Sequence, residues 1–275
     1  MTPSIELRIE SPPELSAVRD GLQSIDLRRF PDIATLIGVD SSGRSIQVEL
    51  VPESFNVARM TPPWVAGFTT RDNVVIFPAR SPTYPSNTLE DVLRHEIVHA
   101  LIWRASGGQS VPRWFNEGLA MEAERERQLA DQSRLLYQLV TGTRVGLVEL
   151  DRLFDGGEND QSRAYALSGA LVHDILQRHG SNVGAQILER MRGGMTFDEA
   201  FSKVVGVLPA TAENQFWDRQ RIWTNWVPIL GSATTLWIVV TLLALIAIYR
   251  RSRLDREIEK RWEEEDGEDE PPTRT

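Results

Sequence analysis

The sequence predicts an α+β protein in which a small mixed sheet precedes a mostly helical domain, and three observations support this. Apolar and polar residues alternate in 5–9 and 45–51, which is typical of half-buried strands. After Pro85 the apolar residues recur at helical spacing. The uncharged stretch 228–249 is long enough to cross a bilayer as one helix.

Composition excludes some classes of partner and of metal site. The chain has 275 residues, of which 41% are hydrophobic and 25% charged, as in ordinary globular proteins. Its net charge of −9 argues against a nucleic-acid partner, because such proteins normally present a basic surface. The chain has no cysteine, so any metal must be bound by histidine and carboxylate side chains.

Residues 1–85 are predicted to form the α/β part of the main domain. The third strand of this part is the short apolar run Asn73–Phe77, which is followed by Pro78. Between the first two strands, residues 14–30 carry apolar side chains at helical spacing. We therefore expect a sheet of short strands with at least one helix inserted.

Residues 86–226 are predicted to form the helical part of the same domain. Thr88 and Asp91 have the spacing of a capping box, which predicts that a helix begins there. Gly107-Gly108 predicts its end, and a second helix is expected over 114–126.

Three further helices are expected in the remainder of this part. The first covers 162–179 and is ended by Gly180. The segment Thr196–Glu199 is a second capping box and predicts a short helix. The amphipathic segment 211–226 is the last, and it leads into the apolar stretch.

The pentapeptide His95-Glu96-Ile97-Val98-His99 lies on the first of these helices. Two histidines four residues apart project from one helix face, so their rings can bind one metal ion. Glu96, beside the first histidine, is placed to touch a metal-bound water. This is the H-E-x-x-H pattern of zinc hydrolases.

A catalytic zinc site needs a third protein ligand, and Glu117 is the candidate. Seventeen residues separate it from His99, and the Gly107-Gly108 turn allows the two helices to fold back on one another. Glu122 and Glu124 are competing carboxylates. They lie farther along a strongly charged face, so we expect them to be solvated, with Glu122 as an alternative partner for one of the ligands.

The two motifs together, HEIVH and then W-x-N-E-G-x-A in 114–120, resemble the gluzincin zinc metallopeptidases of the peptidase MA-like family. The resemblance covers about residues 60 to 225. It implies a zincin-type domain with Zn²⁺ held by His95, His99 and Glu117, with Glu96 as general base. It also implies a protein or peptide substrate. The interval before Glu117 is one residue shorter than in aminopeptidase relatives, which a shorter connecting loop accounts for.

The resemblance implies two further roles. Similar enzymes stabilise the oxyanion with a tyrosine on a later helix, which matches Tyr165; some relatives use a histidine, which leaves His173 as the alternative. Their edge strand binds the extended substrate backbone, which would assign this role to Val74, Val75 and Ile76. An ordinary sheet strand is an equally good interpretation of these three residues.

The stretch 228–249 is predicted to be a transmembrane helix that binds the lipid bilayer. Four arginines in 250–256 favour a cytoplasmic position for the charged tail 250–275, which we expect to be disordered. The main domain is then extracytoplasmic. Residues 1–15 contain no apolar signal core, so this orientation requires a signal sequence that was removed or missed. The alternative is a tail-anchored protein with a cytoplasmic domain.

These observations predict a membrane-anchored zinc metallopeptidase. The alternative is a membrane-tethered, non-catalytic zinc-binding or scaffolding module, although the complete motif set favours catalysis. An intramembrane protease is excluded because 228–249 contains no histidine or acidic residue. No carboxylate motif that would bind a substrate amino end precedes His95, which favours an endopeptidase over an aminopeptidase.

Overall fold

A computed structural model describes residues 6–25, 33–38, 45–80, 86, 88–124, 144–230, 237, 240–247 and 249. The chain divides into two compact units, Met1–Arg219 and Gln220–Thr275. The sheet and the candidate site belong to the first unit.

The sheet has four strands: β1 (Leu7–Glu10), β2 (Ile46–Leu50), β3 (Gly67–Thr70) and β4 (Asn73–Ile76). Their order is β1-β2-β4-β3; β1, β2 and β4 are parallel, and β3 is antiparallel to β4. In β2, the alternating residues Ile46, Val48 and Leu50 are fully buried in the core, as the pattern predicted. The mixed sheet is therefore confirmed.

The predicted edge position of Val74, Val75 and Ile76 is wrong. These residues lie in β4, which pairs with β2 on one side and with β3 on the other. Both rows of backbone hydrogen-bonding groups are thus occupied by neighbouring strands, and no row is left for an added peptide. On this side of the sheet the edge strand is β3, because the chain turns back at Arg71 (φ 58°) and β3 covers that side of β4.

The described chain is otherwise mostly helical, which confirms the α+β class. Short helical turns occur at Pro13–Leu15 and Ala34–Gly38. The α-helices are α1 (Ser16–Gln23), α2 (Asn56–Met60), α3 (Leu89–Ala105), α4 (Arg113–Glu124), α5 (Leu147–Leu153), α6 (Glu158–His179), α7 (Val183–Arg192), α8 (Phe197–Val205) and α9 (Pro209–Leu230).

Both predicted capping boxes form. At the start of α3, the backbone N–H of Asp91 donates to the Thr88 hydroxyl at 3.1 Å, and the backbone N–H of Thr88 donates to the Asp91 carboxylate at 2.9 Å. Thr196 and Glu199 make the same reciprocal pair before α8. Each box satisfies backbone donors that a helix end leaves unpaired, which is why these starts were visible in the sequence.

Helix α3 is held against the sheet along its length. Its buried face, which includes Ile97 and Val98, packs into the core with the inward residues of β2 and β4. Near its C-terminal end the Arg104 guanidinium donates to the Asp72 carboxylate at 2.6 Å and to the Ser45 carbonyl at 2.9 Å. The helix therefore lies in a fixed position beneath the β3–β4 hairpin.

In the part of the chain that the structure describes, none of the helices combines the length and the apolar character needed to cross a bilayer. Within the predicted span 228–249, residues 231–236, 238–239 and 248 lie outside the described residues. The charged tail 250–275 lies outside them as well.

Candidate active site

Helix α3 presents His95, Glu96 and His99 next to the edge strand. His95 and Glu96 are buried, and His99 is partly buried. The two imidazole rings meet edge to face, with their centroids 4.7 Å apart. The two rings are close because the histidines are four residues apart and therefore lie on the same face of the helix.

Helix α4 brings the third candidate ligand to these rings. The Glu117 Oε2 atom lies 3.2 Å from His95 Nε2 and 3.3 Å from His99 Nε2. Ligand atoms of a tetrahedral zinc ion, each about 2.0–2.1 Å from the metal, lie about 3.3–3.4 Å from one another. The spacing and the nitrogen–oxygen donor set therefore fit zinc, and the three residues form a group that could hold a metal.

Burial and the neighbouring charges shift the pKa values of the titratable groups in this site. Burial by itself would raise the pKa of Glu117, but the neighbouring charges and hydrogen bonds of His99 and His95 outweigh it and lower that pKa well below the usual range. For His99, burial works to lower the pKa, and the Glu117 carboxylate raises it overall. For Glu96, burial dominates and raises the pKa of the carboxyl group.

Asn116 orients His99. The His99 Nδ1 atom lies 3.0 Å from the Asn116 amide oxygen, which can only accept a hydrogen bond. A proton on Nδ1 makes this hydrogen bond, which leaves Nε2, on the side of Glu117, as the ring nitrogen that can bind a metal.

Thr69 connects the edge strand to Glu96. Its hydroxyl oxygen lies 2.7 Å from Glu96 Oε2 and 2.8 Å from the Glu96 backbone carbonyl. Two residues earlier, Gly67 allows this close approach, because a Cβ there would lie 2.9 Å from Val92 Cγ1 and 3.1 Å from Glu96 Cγ. The edge strand thus lies directly against the carboxylate expected to act as base.

Tyr165 lies near the histidines, and His173 does not line the cleft. The Tyr165 ring lies 6.1 Å from the His95 ring and packs on Phe154 with the ring centroids 5.3 Å apart. The described residues that line the cleft include Tyr165 and not His173. His173 Nδ1 instead lies 3.0 Å from the Glu122 carboxylate. Among the described residues, Glu122 does not belong to the group that could hold a metal.

A cleft of about 330 Å³ opens over these residues. Besides the site, the described residues that line it include Gly67, Arg71, Trp103, Arg113 and Gln161. A smaller recess of about 80 Å³ adjoins the same histidine and glutamate and is lined by Trp64, Ala66, Val92 and Glu158 among others. The Trp64 indole N–H donates to Gln161 Oε1 at 3.2 Å, so the two walls of the recess are joined.

Arg80 braces the loop that forms one wall of this recess. Its buried guanidinium donates to the Glu53 carboxylate at 2.7 Å and to the carbonyls of Ala58, Pro62 and Val65 at 2.6–2.8 Å. Planar donors of this kind can satisfy several carbonyls at once. The loop that carries Trp64, Val65 and Ala66 is therefore held by one side chain.

Several residues at the site were not identified from the sequence. Thr69, Trp64 and Gln161 lie in segments without a recognisable motif, and long-range packing brings them to the cleft. Asn116 had a usable signal, because it directly precedes Glu117 inside the quoted motif. Glu96, Tyr165 and the three candidate ligands were all singled out, and the structure brings them together.

Comparison with known proteins identifies the family. The model of the peptidase MA superfamily matches residues 54–223, more than half of the chain, and that range contains every candidate site residue. No curated protein sequence matches the chain significantly. The chain therefore belongs to the peptidase MA superfamily, and this membership indicates peptidase activity.

Proposed function

We propose that the protein is a zinc-dependent peptidase of the gluzincin type that cleaves peptide bonds within proteins. The observation that carries this proposal is the convergence of His95 Nε2, His99 Nε2 and Glu117 Oε2 within zinc-ligand spacing, next to a buried Glu96. Membership in the peptidase MA superfamily also supports it.

In this proposal the residues of the chain have distinct roles. His95, His99 and Glu117 hold zinc, which when bound acidifies water and polarises a carbonyl group. The Glu96 carboxylate accepts a proton from the attacking water and passes it to the leaving amine. The Tyr165 hydroxyl donates a hydrogen bond to the carbonyl oxygen of the cleaved bond as it gains charge.

The proposed binding site for the substrate backbone is the outer edge of β3, which pairs with no second strand among the described residues. An extended peptide can add to an exposed sheet edge through main-chain hydrogen bonds. Gly67–Thr70 is an edge strand, and the Thr69 hydroxyl touches Glu96. A peptide added there would lie beside the group that moves the proton.

We also propose that 228–249 anchors the enzyme in a bilayer. These 22 positions contain no charged residue. Its described part exposes several large apolar or amphipathic side chains by more than half: Trp237, Leu242, Leu243, Leu245, Ile246 and Tyr249. Lipid would cover such side chains. Sedimentation with membranes, compared for the full chain and for a chain ending at position 227, tests this proposal.

The catalytic proposal is tested with Glu96→Gln, His99→Ala and the control Glu90→Gln, which alters a more exposed glutamate of the same helix. Glu96→Gln should bind one zinc and lose activity on an unfolded protein substrate by about 10²–10⁴-fold. His99→Ala should lose the metal, and Glu90→Gln should keep both properties. Zinc content and cleavage rate are measured on the same preparations.

Two results would contradict the proposal. Full turnover by Glu96→Gln would contradict the role of Glu96 as the base. A wild-type protein that binds zinc tightly but cleaves no peptide or protein would favour the non-catalytic zinc-binding module instead.

A further inference from the structure

Two arginines line the cleft. Arg71 directly follows β3 in the hairpin turn, and Arg113 begins α4, so two separate segments place a guanidinium at the same cavity. The protein as a whole carries a net charge of −9, so positive charge at the cleft is opposite to its average surface. The other charged side chains of the described lining are Glu96 and Glu117, which the proposed chemistry uses.

Both guanidinium groups have N–H donors that make no hydrogen bond to a described residue. Arg71 is exposed and makes no ion pair or hydrogen bond with any described residue. Arg113 donates one of its five N–H groups to the Asp155 carboxylate at 2.9 Å and lies over the Phe154 ring at 4.7 Å. Asp155 is 80% exposed, and ion pairs this exposed contribute little, so a ligand can compete for Arg113.

The recess that adjoins the cleft has a different character. It is lined by Trp64, Ala66 and Val92, and its charged residue beyond Glu96 is Glu158. The lining that the two arginines add to the cleft is thus basic, whereas the recess is apolar to acidic. A peptide that reached from one to the other would meet opposite charges.

We propose that the cleft selects peptides with a carboxylate on the Arg71 side of the cleaved bond; this rests on the proposed function. Thr69 touches Glu96 and so marks the position of the attacked bond along β3. Arg71 lies two residues farther, about 7 Å along an extended chain. The carboxylate is therefore two or three residues from the attacked bond and pairs with Arg71, with Arg113 as second donor.

The experiment uses the zinc-loaded full chain and blocked peptides that differ only by Glu or Gln at each of three positions on either side of the cleaved bond. A second pair of peptides has the same sequence and differs only at the C-terminus, which is a free carboxylate in one and an amide in the other. The variants are Arg71→Asn and Arg71→Lys; asparagine tolerates the positive φ of this turn residue. Arg8→Asn is the matched control, because β1 is the opposite edge of the sheet.

We expect kcat/KM to be about tenfold higher for Glu than for Gln peptides at two or three residues from the bond, on one side only. Arg71→Asn should reduce this ratio below about twofold, while Arg71→Lys and Arg8→Asn keep most of it. Binding is measured with the Glu96→Gln protein. It should bind Glu peptides more tightly than Gln peptides at the same positions, and adding Arg71→Asn should reduce this difference. If only the peptide with the free C-terminal carboxylate is cleaved faster, the pairing with Arg71 is still supported. The carboxylate that Arg71 binds is then that of the peptide's C-terminus.

Equal cleavage of Glu and Gln peptides by the wild-type protein would overturn the inference, as would an unchanged ratio in Arg71→Asn. The failure of the proposed function is distinguishable, because the zinc-loaded wild type would then cleave none of the peptides. In that case the binding measurement still decides: equal affinity for Glu and Gln peptides overturns carboxylate recognition.

Discussion

Helices α4 and α6 approach each other closely at Gly118, and replacing this residue tests how tightly the site is held together. A Cβ at this position would lie 2.4 Å from Val172 Cγ2 and 2.6 Å from the Ser168 carbonyl oxygen. Ordinary contacts begin at 3.4 Å. Because the Ser168 oxygen belongs to the backbone, no rotamer change relieves the clash, and α6 must move by about 0.8 Å.

The stability cost follows from this geometry. Overpacking of a core costs about 1–3 kcal/mol, and a backbone clash belongs at the upper end of that range or above it. Alanine recovers about 1 kcal/mol of helix propensity. We therefore expect Gly118→Ala to lose about 2 kcal/mol net, which in a unit of this size lowers Tm by about 4–8 °C.

The same displacement affects the site, because α4 carries Glu117 and α6 carries Tyr165. A misplacement of about 1 Å reduces catalysis by up to about 10²-fold, so kcat/KM should fall between about 10- and 100-fold. Thermal unfolding followed by circular dichroism and peptide cleavage measure the two effects. The control is Gly21→Ala in α1, where a Cβ meets nothing within 4 Å and should raise Tm by about 1–4 °C.

A Gly118→Ala protein that melts within a degree of the wild type and cleaves peptide at the same rate would refute this reasoning. It would mean that the two helices are not in close contact at this point. A loss of stability in Gly21→Ala as large as that in Gly118→Ala would refute it too, because the effect would then not come from the clash.

Three further substitutions have expected outcomes. Thr69→Val removes a hydrogen bond that lowers the pKa of Glu96, so that pKa, already raised by burial, should rise further. Because the base must be deprotonated, the acid limb of the kcat/KM profile should move to higher pH. Asn116→Ala should weaken zinc binding about 10–100-fold in a chelator competition, since His99 loses its orienting partner. Arg80→Ala leaves three backbone carbonyls without their donor and should cost about 3 kcal/mol or more in urea unfolding.

Conservative variants provide the controls. Thr69→Ser keeps the hydroxyl group, so its pH profile should match the wild type, and a Thr69→Val profile that also matched would contradict the assigned hydrogen bond. Arg80→Lys keeps the charge but not the planar donors, and should fall between the wild type and Arg80→Ala in stability. Unchanged zinc affinity in Asn116→Ala would contradict its orienting role.

Local patterns in the sequence determined the helix starts and the chemistry on α3. Thr88 and Asp91 interact across one helical turn, and His95 and His99 share a face because of the helical repeat, so both features depend only on neighbours in the chain. The approach of Glu117 was also predictable, because a short turn joins two helices that each carry a recognisable motif.

Only the tertiary structure decided which strand is the edge. Val74 and Ile76 have the composition of a strand, but composition does not say how many neighbours a strand pairs with. That depends on the hairpin at Arg71, which adds β3 outside β4 and brings Thr69 to Glu96. The basic lining of the cleft is equally non-local, since Arg71 and Arg113 come from segments that meet only after folding. The sequence by itself therefore determined the candidate ligands and the base, whereas the sheet pairing and the walls of the cleft required contacts between distant parts of the chain.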